Sequence, residues 1–352
     1  MHSSTDFQTS DPSISGDIQV SVIIPARNVS GFLPACFDAL ILQDFPNDSW
    51  EVILVDNGST DNTIEIALTY SDRLNLRVVE MRDGYISSLR NLGASLALGD
   101  VLAFLDADCS PAADWLLRAT ALSSPHAVVG AFYRIPPYSS WLAKSWYGYD
   151  ETEKHGPVPF VPSGDLIVRK ATFFAVGGFD ETLETNEDYD FCNRAQKAAD
   201  LDVIACPDLA VTHFGTPQTI GSFYRKQRWH GKHVFAVTLR NLAELPNARA
   251  ISFALYTLCC LVSIASGIIW EVYSGRPEVL FGGCMALFFA PLVMSTRLVM
   301  RRKRWNDAVP LTILFLTYGI ARAHCLLDVK TLFPGRPGSE MNGRLVAPPN
   351  EF

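Results

Sequence analysis

Two carboxylates one residue apart, Asp106 and Asp108, follow the apolar run Val101-Leu-Ala-Phe-Leu105. A short continuous apolar run fits a strand covered on both faces, as in a parallel sheet flanked by helices. In extended backbone, residues i and i+2 point the same way, so both acids can address one site. That site is the carboxyl end of a strand, where open α/β sheets bind ligands. Neighbouring carboxylates repel unless a cation or donors compensate them. An oxygen-only pair suits Mg²⁺ or Mn²⁺, ions that commonly bridge to a substrate's phosphates. A bare Asp-x-Asp is also, and more often, an acidic turn after a strand. A second acidic group, Asn186-Glu187-Asp188-Tyr189-Asp190, opens a helical stretch, where its plainest role is to face the positive end of the helix dipole. Cations collect on a third segment, Thr219–Leu239, as Arg225, Lys226, Arg228, His230, Lys232, His233 and Arg240. That segment is either a solvated face or a face for anions and a membrane surface.

The elements that must position these groups alternate. Gln19–Pro25, Glu51–Asp56 and Leu76–Glu80 read as strands, and the second breaks into the turn Asn57-Gly58-Ser59-Thr60-Asp61. Pro34–Gln43 has helical spacing, with Leu33, Cys36, Phe37, Leu40 and Ile41 on one face. Thr60 or Asp61 caps a helix reaching about Tyr70, and Ile86–Leu98 is a helix ended by Gly99. Pro111 is expected to begin a further helix. Strand, helix, strand, helix with short connections means βαβ units and a mostly parallel sheet. Beyond Tyr133 the rhythm breaks. Tyr133, Tyr138, Trp141, Trp146, Tyr147, Tyr149 and Phe160 interleave with Pro and Gly, either as an irregular core cover or as an aromatic wall for an acceptor. Ser163–Arg169 resumes as a strand, Phe191–Ala199 as a helix, and Val203–Cys206 and Leu209–His213 as short strands.

The chain has 352 residues, a formal charge of −8 and a hydrophobic fraction of 48%. No basic excess suggests a nucleic-acid partner. The eight cysteines (36, 109, 192, 206, 259, 260, 284 and 325) are scattered without a Cys-x-x-Cys pair, as expected of reduced thiols used as small hydrophobes. Met1–Asp17 is rich in Ser, Thr and Asp and lacks an apolar core, so no signal peptide is expected and the polar part should stay in the cytosol.

Apolarity concentrates in the last third. Ala250–Trp270 carries no charge, and crossing a bilayer takes about 20 apolar residues. Val279–Thr296 is a second candidate, with Pro291 inside, and Arg301-Arg-Lys-Arg304 after it should remain cytoplasmic. Val309–Leu327, interrupted by Arg322 and His324, either spans or lies at the interface. The expected organisation is a disordered leader over 1–16 and a catalytic domain over 17–236. An interfacial linker over 237–249, two to three transmembrane helices over 250–330 and a flexible tail over 331–352 follow.

Taken together, the motifs resemble the family 2 glycosyltransferases, inverting enzymes with the nucleotide-sugar fold called GT-A, over residues 19 to about 232. Val20-Ser-Val-Ile-Ile-Pro-Ala-Arg-Asn28 resembles the family's first strand and Pro-Ala-x-Asn turn. Ile53-Leu-Val-Asp-Asn-Gly-Ser-Thr-Asp61 resembles its Val-Asp-Asp-Gly-Ser-Thr-Asp motif, with Asn57 at the second Asp. Arg90-Asn91-x-Gly93 resembles its Arg-Asn-x-Gly helix, and Leu105-Asp106-Ala107-Asp108 its metal motif. Gly177-Gly178-Phe179-Asp180-Glu181 and the Glu187-Asp188 segment resemble its acceptor-side loop and catalytic acids.

The resemblance implies a nucleotide-diphosphate sugar donor and a Mg²⁺ or Mn²⁺ cofactor held by Asp108 with Asp106 and His213. It implies a donor site at Pro25, Ala26, Asn28, Asp56, Asn57, Arg90, Asp106, Arg228 and Trp229. Asp188 becomes the base, with Glu187 beside it. Processive members carry Gln-x-x-Arg-Trp, and here the run is Arg225-Lys-Gln-Arg228-Trp229, which favours one sugar per encounter. The expected protein is a multi-pass enzyme of the cell (inner) membrane with a cytoplasmic catalytic domain. It would glycosylate a lipid-linked, polyprenyl-type or glycan acceptor in cell-surface polysaccharide or glycolipid synthesis. A processive synthase and a non-catalytic membrane scaffold are the competing readings.

Overall fold

The structure is a computed structural model that describes residues 18–148, 153–231, 245–327 and 344–346. The expected leader, Tyr149, Lys232, His233 and Arg240 lie outside the described residues.

Four strands run parallel at the centre of the sheet: β1 (Val20–Ala26), β2 (Trp50–Asp56), β3 (Leu76–Glu80) and β4 (Val101–Leu105). Their near-continuous apolar sequence follows from burial on both faces. Val22, Ile24, Val52, Leu54, Ala103 and Leu105 face one core, with α1 (Leu33–Ile41) and α2 (Thr63–Leu68) packed on that side. Ile23, Ile53, Val55, Leu102 and Phe104 face the other, toward α3 (Ile86–Leu96). Each such fully buried side chain contributes about 1.5–3 kcal/mol.

The register Ala26↔Asp56 and Asp56↔Glu80 aligns the carboxyl ends of β1, β2 and β3. β4 ends one residue before Asp106 on the same side of the sheet. The sheet continues through β8 (Asp165–Arg169), β6 (Ala127–Gly130), β9 (Asp202–Ala205) and β7 (Gly156–Pro157). β8 runs antiparallel between β4 and β6, so the sheet is mostly but not wholly parallel. A small separate pair joins β5 (Cys109–Ser110) to β10 (Thr212–His213).

Several expectations need correction. The helix expected at Pro111 begins instead at Trp115 and runs to Leu122 as α4. Residues 111–114 form the lead-in instead: the Ala112 and Ala113 carbonyls accept from the segment after α1, Gln43 Nε2 at 2.8 Å and the Asp44 amide at 2.6 Å, and the Trp115 amide closes a turn onto Ala112 O at 3.0 Å. Asp61 accepts from the Thr63 amide (3.1 Å), but the helix it precedes spans only Thr63–Leu68. The expected strand Leu209–His213 is a 3-10 turn, Pro207–Leu209, followed by the two-residue β10. Within the tail expected to be loose, Arg344–Val346 forms β11 antiparallel to β3, which pairs an otherwise open sheet edge.

The aromatic stretch holds α5 (Trp141–Tyr147), and α6 (Lys170–Val176) and α7 (Glu187–Ala199) follow β8. The cationic segment is described as α8 (Ile220–Gly231). The last third folds as α9 (Leu245–Ser274), α10 (Glu278–Arg302) and α11 (Ala308–Leu327). α9 thus begins inside the expected linker. Among the described residues, three helices are long and apolar enough to cross a membrane. They leave large apolar side chains outward, such as Ile269, Val272, Phe281 and Met285, a pattern suited to lipid rather than water.

α11 is fastened to α8. Tyr224 Oη and His324 Nδ1 lie 2.6 Å apart, and the Cys325 thiol donates to the Arg228 carbonyl at 3.1 Å.

Candidate active site

Arg90 is the hub. It rises from α3, is 1% exposed, and grips two acids from distant parts of the chain. Its Nη2 donates to Asp106 Oδ1 at 2.6 Å and its Nη1 to Glu187 Oε1 at 2.7 Å. Ser163 Oγ donates to the same Glu187 oxygen at 2.9 Å. The next residue of α3, Asn91, pins the loop that holds Phe179 and Glu181: its amide donates to Phe179 O and Glu181 Oε1 (both 2.9 Å), and its oxygen accepts from the Phe179 amide at 3.0 Å. One helix thereby sets the spacing between the end of β4 and the start of α7. α7 itself starts from Asn186 in a left-handed conformation (φ 66°), a backbone state uncommon for a residue with a side chain.

Asp188 sits beside Glu187 without sharing its arginine contact. Burial and the adjacent Glu187 charge push its carboxyl up to about 7, against the pull of hydrogen bonds from the Tyr189 and Ser163 amides. The Tyr189 amide donates to Asp188 Oδ1 at 2.7 Å. Of the two neighbouring acids, one is thus bound by a buried guanidinium and the other, Asp188, can take up a proton near neutral pH.

Asp108 faces His213, with Oδ2 to Nε2 at 3.4 Å. Thr216 Oγ1 donates to the His213 carbonyl (3.3 Å), so it accepts from Nδ1–H (3.1 Å). That leaves the Nε2 lone pair turned toward Asp108, the tautomer a metal ligand needs. Burial holds His213 below the usual histidine range, hence neutral, although Asp108 opposes this. Burial, with Asp106 adding to it, raises the Asp108 carboxyl, as expected of an acid whose counter-cation would come from outside the chain.

Donor atoms of Asp108, Cys109 and His213 lie within 4.8 Å of one another. Burial, Asp106 and Asp108 push the Cys109 thiol well up, so it stands there as a neutral neighbour. Asp106 fits the ligand role less well, because Arg90 occupies Oδ1 and the Tyr133 hydroxyl donates to Oδ2 at 3.4 Å. A carboxylate and a neutral imidazole fit Mg²⁺ or Mn²⁺, with substrate oxygens and water completing the shell.

The backbone comes close enough here to require glycine at two positions. A Cβ at Gly164 would overlap Asp106 Oδ2 and the Tyr133 hydroxyl, and one at Gly215 would overlap Asp108 Oδ2.

A cavity of about 730 Å³ joins these groups. Arg90, Asp106, Glu187, Asp188 and His213 line it together. Trp229 also lines it, and its indole donates to Glu184 at 3.0 Å. Arg228 does not: its side chain is exposed. Lys226, Trp229 and His230 share the inner face of α8 at helical spacing, and Arg228 falls off it. The α8 cation facing Asp106 and Asp108 is therefore Lys226, whose ammonium burial pulls down and Asp108 holds up.

Pro25, Ala26, Asn28, Asp56 and Asn57 cluster around the ends of β1 and β2, beside the cavity rather than in it. Asp56 is fully buried and shapes its turn, accepting from the Ser59 amide (2.8 Å) and hydroxyl (2.5 Å). Asn28 Oδ1 accepts from the Thr60 amide at 2.8 Å, and Asn57 Nδ2 donates to Gly84 O at 2.8 Å.

Sequence reasoning missed Ser163, Thr216 and the roles of Tyr133 and Lys226. Tyr133 stacks on His213 at 4.8 Å and accepts from the Gly164 amide at 3.1 Å. Of the aromatic stretch, Tyr133, Trp146, Tyr147 and Phe160 line the cavity, whereas Tyr138 is 80% exposed.

Residues 21–178 match the profile of Glycosyl transferase family 2. The glycosyltransferase AglE of Haloferax volcanii is 30% identical over 248 residues, covering 68% of this chain and 80% of that protein. A PGL/p-HBAD biosynthesis glycosyltransferase of Mycobacterium tuberculosis is 41% identical over 163 residues, which is 46% of this chain and 51% of that protein. Among solved structures, the mannosyltransferase PcManGT of Pyrobaculum calidifontis, in complex with GDP-Man and Mn²⁺, superposes with a TM-score of 0.57 at 20% identity. The match covers 92% of this chain and 89% of that one. At that identity the likeness speaks for the GT-A fold alone.

Proposed function

Because the chain belongs to glycosyl transferase family 2, and is a glycosyltransferase using a nucleotide-sugar donor, we propose that it transfers one sugar, with inversion, to the hydroxyl of a lipid-linked or glycan acceptor at the inner membrane. The observation that carries this reading is one cavity. It is lined by the base, by the His213 imidazole that faces the metal-type carboxylate of Asp108, and by a cation, and it also reaches α10 and α11.

The acceptor oxygen attacks the donor's anomeric carbon from the Asp188 side and gives its proton to Asp188. The bond from that carbon to the diphosphate oxygen breaks, and its electron pair leaves with the nucleoside diphosphate. Arg90 holds Glu187 and Asp106 so that base and leaving group keep their spacing. Lys226 faces the departing phosphates. A divalent ion at Asp108 and His213, when bound, supplies positive charge to the leaving group. The buried ends of β1 and β2, with Asn28 and Asn57, fit the nucleoside. The cytoplasmic side is favoured for the catalytic domain by the arginine-rich end of α10.

The direct test is a donor screen that reads released nucleoside diphosphate, with membrane lipid extract as acceptor. Extract-dependent release with one donor supports the reading, and its absence with every donor overturns it. A ladder of long products would instead favour a processive synthase.

Two further outcomes are expected. A base works deprotonated, and the Asp188 carboxyl lies near 7. kcat/KM should therefore fall as pH drops through about 7 and level off above it, measured across a pH series at saturating metal. Gly215→Ala should displace the Asp108 carboxylate and weaken metal-dependent donor binding by about 10- to 100-fold. Calorimetry with and without Mn²⁺, alongside an unchanged melting temperature, would check it.

A further inference from the structure

The cavity runs past the carboxylates to the inner ends of the apolar helices. Leu298, Arg301 and Arg302 at the end of α10, and Leu311 and Phe315 on α11, line the same space as Asp188. Paired arginines at the end of a spanning helix are usually explained by helix orientation alone. Orientation does not require them to line a reaction cavity, and these two do. Arg302 is also fixed in place, its Nη1 donating to the Ser145 carbonyl of α5 at 3.0 Å. Next to them the wall is aromatic, with Trp146 edge-on to Phe315 at 5.1 Å and to Phe223 at 5.0 Å.

The lining is thus of three kinds: carboxylates, the guanidinium groups of Arg301 and Arg302, and apolar side chains, of which Leu298 lies a turn before those arginines on a helix apolar enough to meet lipid. Lys226 and Arg90, by contrast, serve Asp106 and Asp108. A ligand that satisfies all three kinds has a hydroxyl, an anion and an apolar chain.

Resting on the lipid-linked form of the function above, we propose that the acceptor is a lipid-linked sugar phosphate. Its phosphate is bound by Arg301 and Arg302, its sugar hydroxyl is presented to Asp188, and its chain lies along Leu298, Leu311 and Phe315. Arginine suits this task, because its planar fork matches phosphate oxygens. A bare lipid phosphate fits less well as the nucleophile. Its oxygens are already deprotonated and need no base, and the reacting oxygen would have to leave the arginines for a wall of carboxylates that repel it. The transferred sugar is bonded to the acceptor's sugar oxygen, whose proton passes to Asp188, and the acceptor phosphate stays intact.

The experiment uses the full chain in detergent micelles with three acceptors: a short prenyl diphosphate sugar, the same sugar on an uncharged alkyl chain, and the bare prenyl phosphate. The wild type should favour the first over both others. Arg301→Gln/Arg302→Gln should raise the KM for the first by about 10- to 100-fold, the scale of lost charge-assisted hydrogen bonds. It should leave the alkyl glycoside reaction, the donor KM and the melting temperature unchanged. Arg301→Lys/Arg302→Lys should recover part of the loss. An unchanged acceptor KM in the glutamine variant overturns the inference while the proposed function survives; better transfer to bare prenyl phosphate overturns the inference and, with it, the hydroxyl acceptor of the proposed function. Donor turnover with a glycan and with none of the three lipids overturns the lipid-linked reading together with the inference.

Discussion

Asp188→Asn is expected to lower sugar transfer by about 10²- to 10⁴-fold, the usual contribution of a positioned general base, while donor binding persists. The substitution is nearly isosteric. Asparagine keeps an oxygen where the Tyr189 amide donates at 2.7 Å, so the start of α7 should hold its shape. What is lost is the only chemistry an amide cannot supply, acceptance of the acceptor's proton. Glu187 is held elsewhere, its Oε1 bound by both Arg90 and Ser163. The check has two parts: released nucleoside diphosphate for turnover, and calorimetric titration of the donor for binding. Loss of donor binding along with turnover would mean that Asp188 shapes the donor site and that another group takes the proton. Full activity in the variant would favour a scaffold whose role does not depend on catalysis.

Arg90→Met should cost more in structure. Two carboxylates from separate parts of the chain, Asp106 and Glu187, lose a guanidinium that is 1% exposed. Removing one partner of a buried pair typically costs about 3–5 kcal/mol, since the remaining charge stays buried without compensation. A marginally stable domain has about 5–15 kcal/mol in total, so a large fall in melting temperature is expected. Arg90→Lys separates stability from geometry. An ammonium restores the charge but is a single point, and it cannot bridge two acids as a forked guanidinium does. The lysine variant should regain much of the melting temperature and little of the turnover. Thermal unfolding and steady-state kinetics on both variants would show it. Full turnover in Arg90→Lys would mean that charge alone, not the two-armed grip, matters.

Much of this site was legible because burial on both faces leaves an unmistakable trace. β1, β2 and β4 have near-continuous apolar sequences for that reason, and where such a run breaks into acids, those acids must stand at a strand's carboxyl end. The antiparallel course of β8 between β4 and β6 was not legible, since a strand's neighbours are chosen by tertiary packing rather than by its own residues. Pro111 misled for a similar reason: its local signal for a helix start says nothing of the tertiary bonds from Gln43 and Asp44 that tie down the segment before Trp115. On α8, the motif resemblance pointed to Arg228, whereas helical phase decides which cation enters the cavity, and it selects Lys226. Arg301 and Arg302 read as a topology signal because nothing local links them to Asp188. Only the packing of α11 against α5 and α8, with Arg302 of α10 bonded to Ser145, brings them to one space.

That fastening of α11 to α8 has a mechanical meaning. Contacts such as Tyr224 with His324, and Cys325 with the Arg228 carbonyl, tie the helix beside the reaction to a helix of the apolar bundle. If the apolar helices cross a bilayer as proposed, the height of Asp188 above it would be set by protein, not by lipid, and the molecule would act as a gauge. With the proposed acceptor's phosphate anchored at a fixed level, only a hydroxyl at one reach from it would meet the base. The product would be one sugar longer, and its new terminal hydroxyl would overshoot. Single addition would then need no separate stop signal, because the growing end would outgrow the gap.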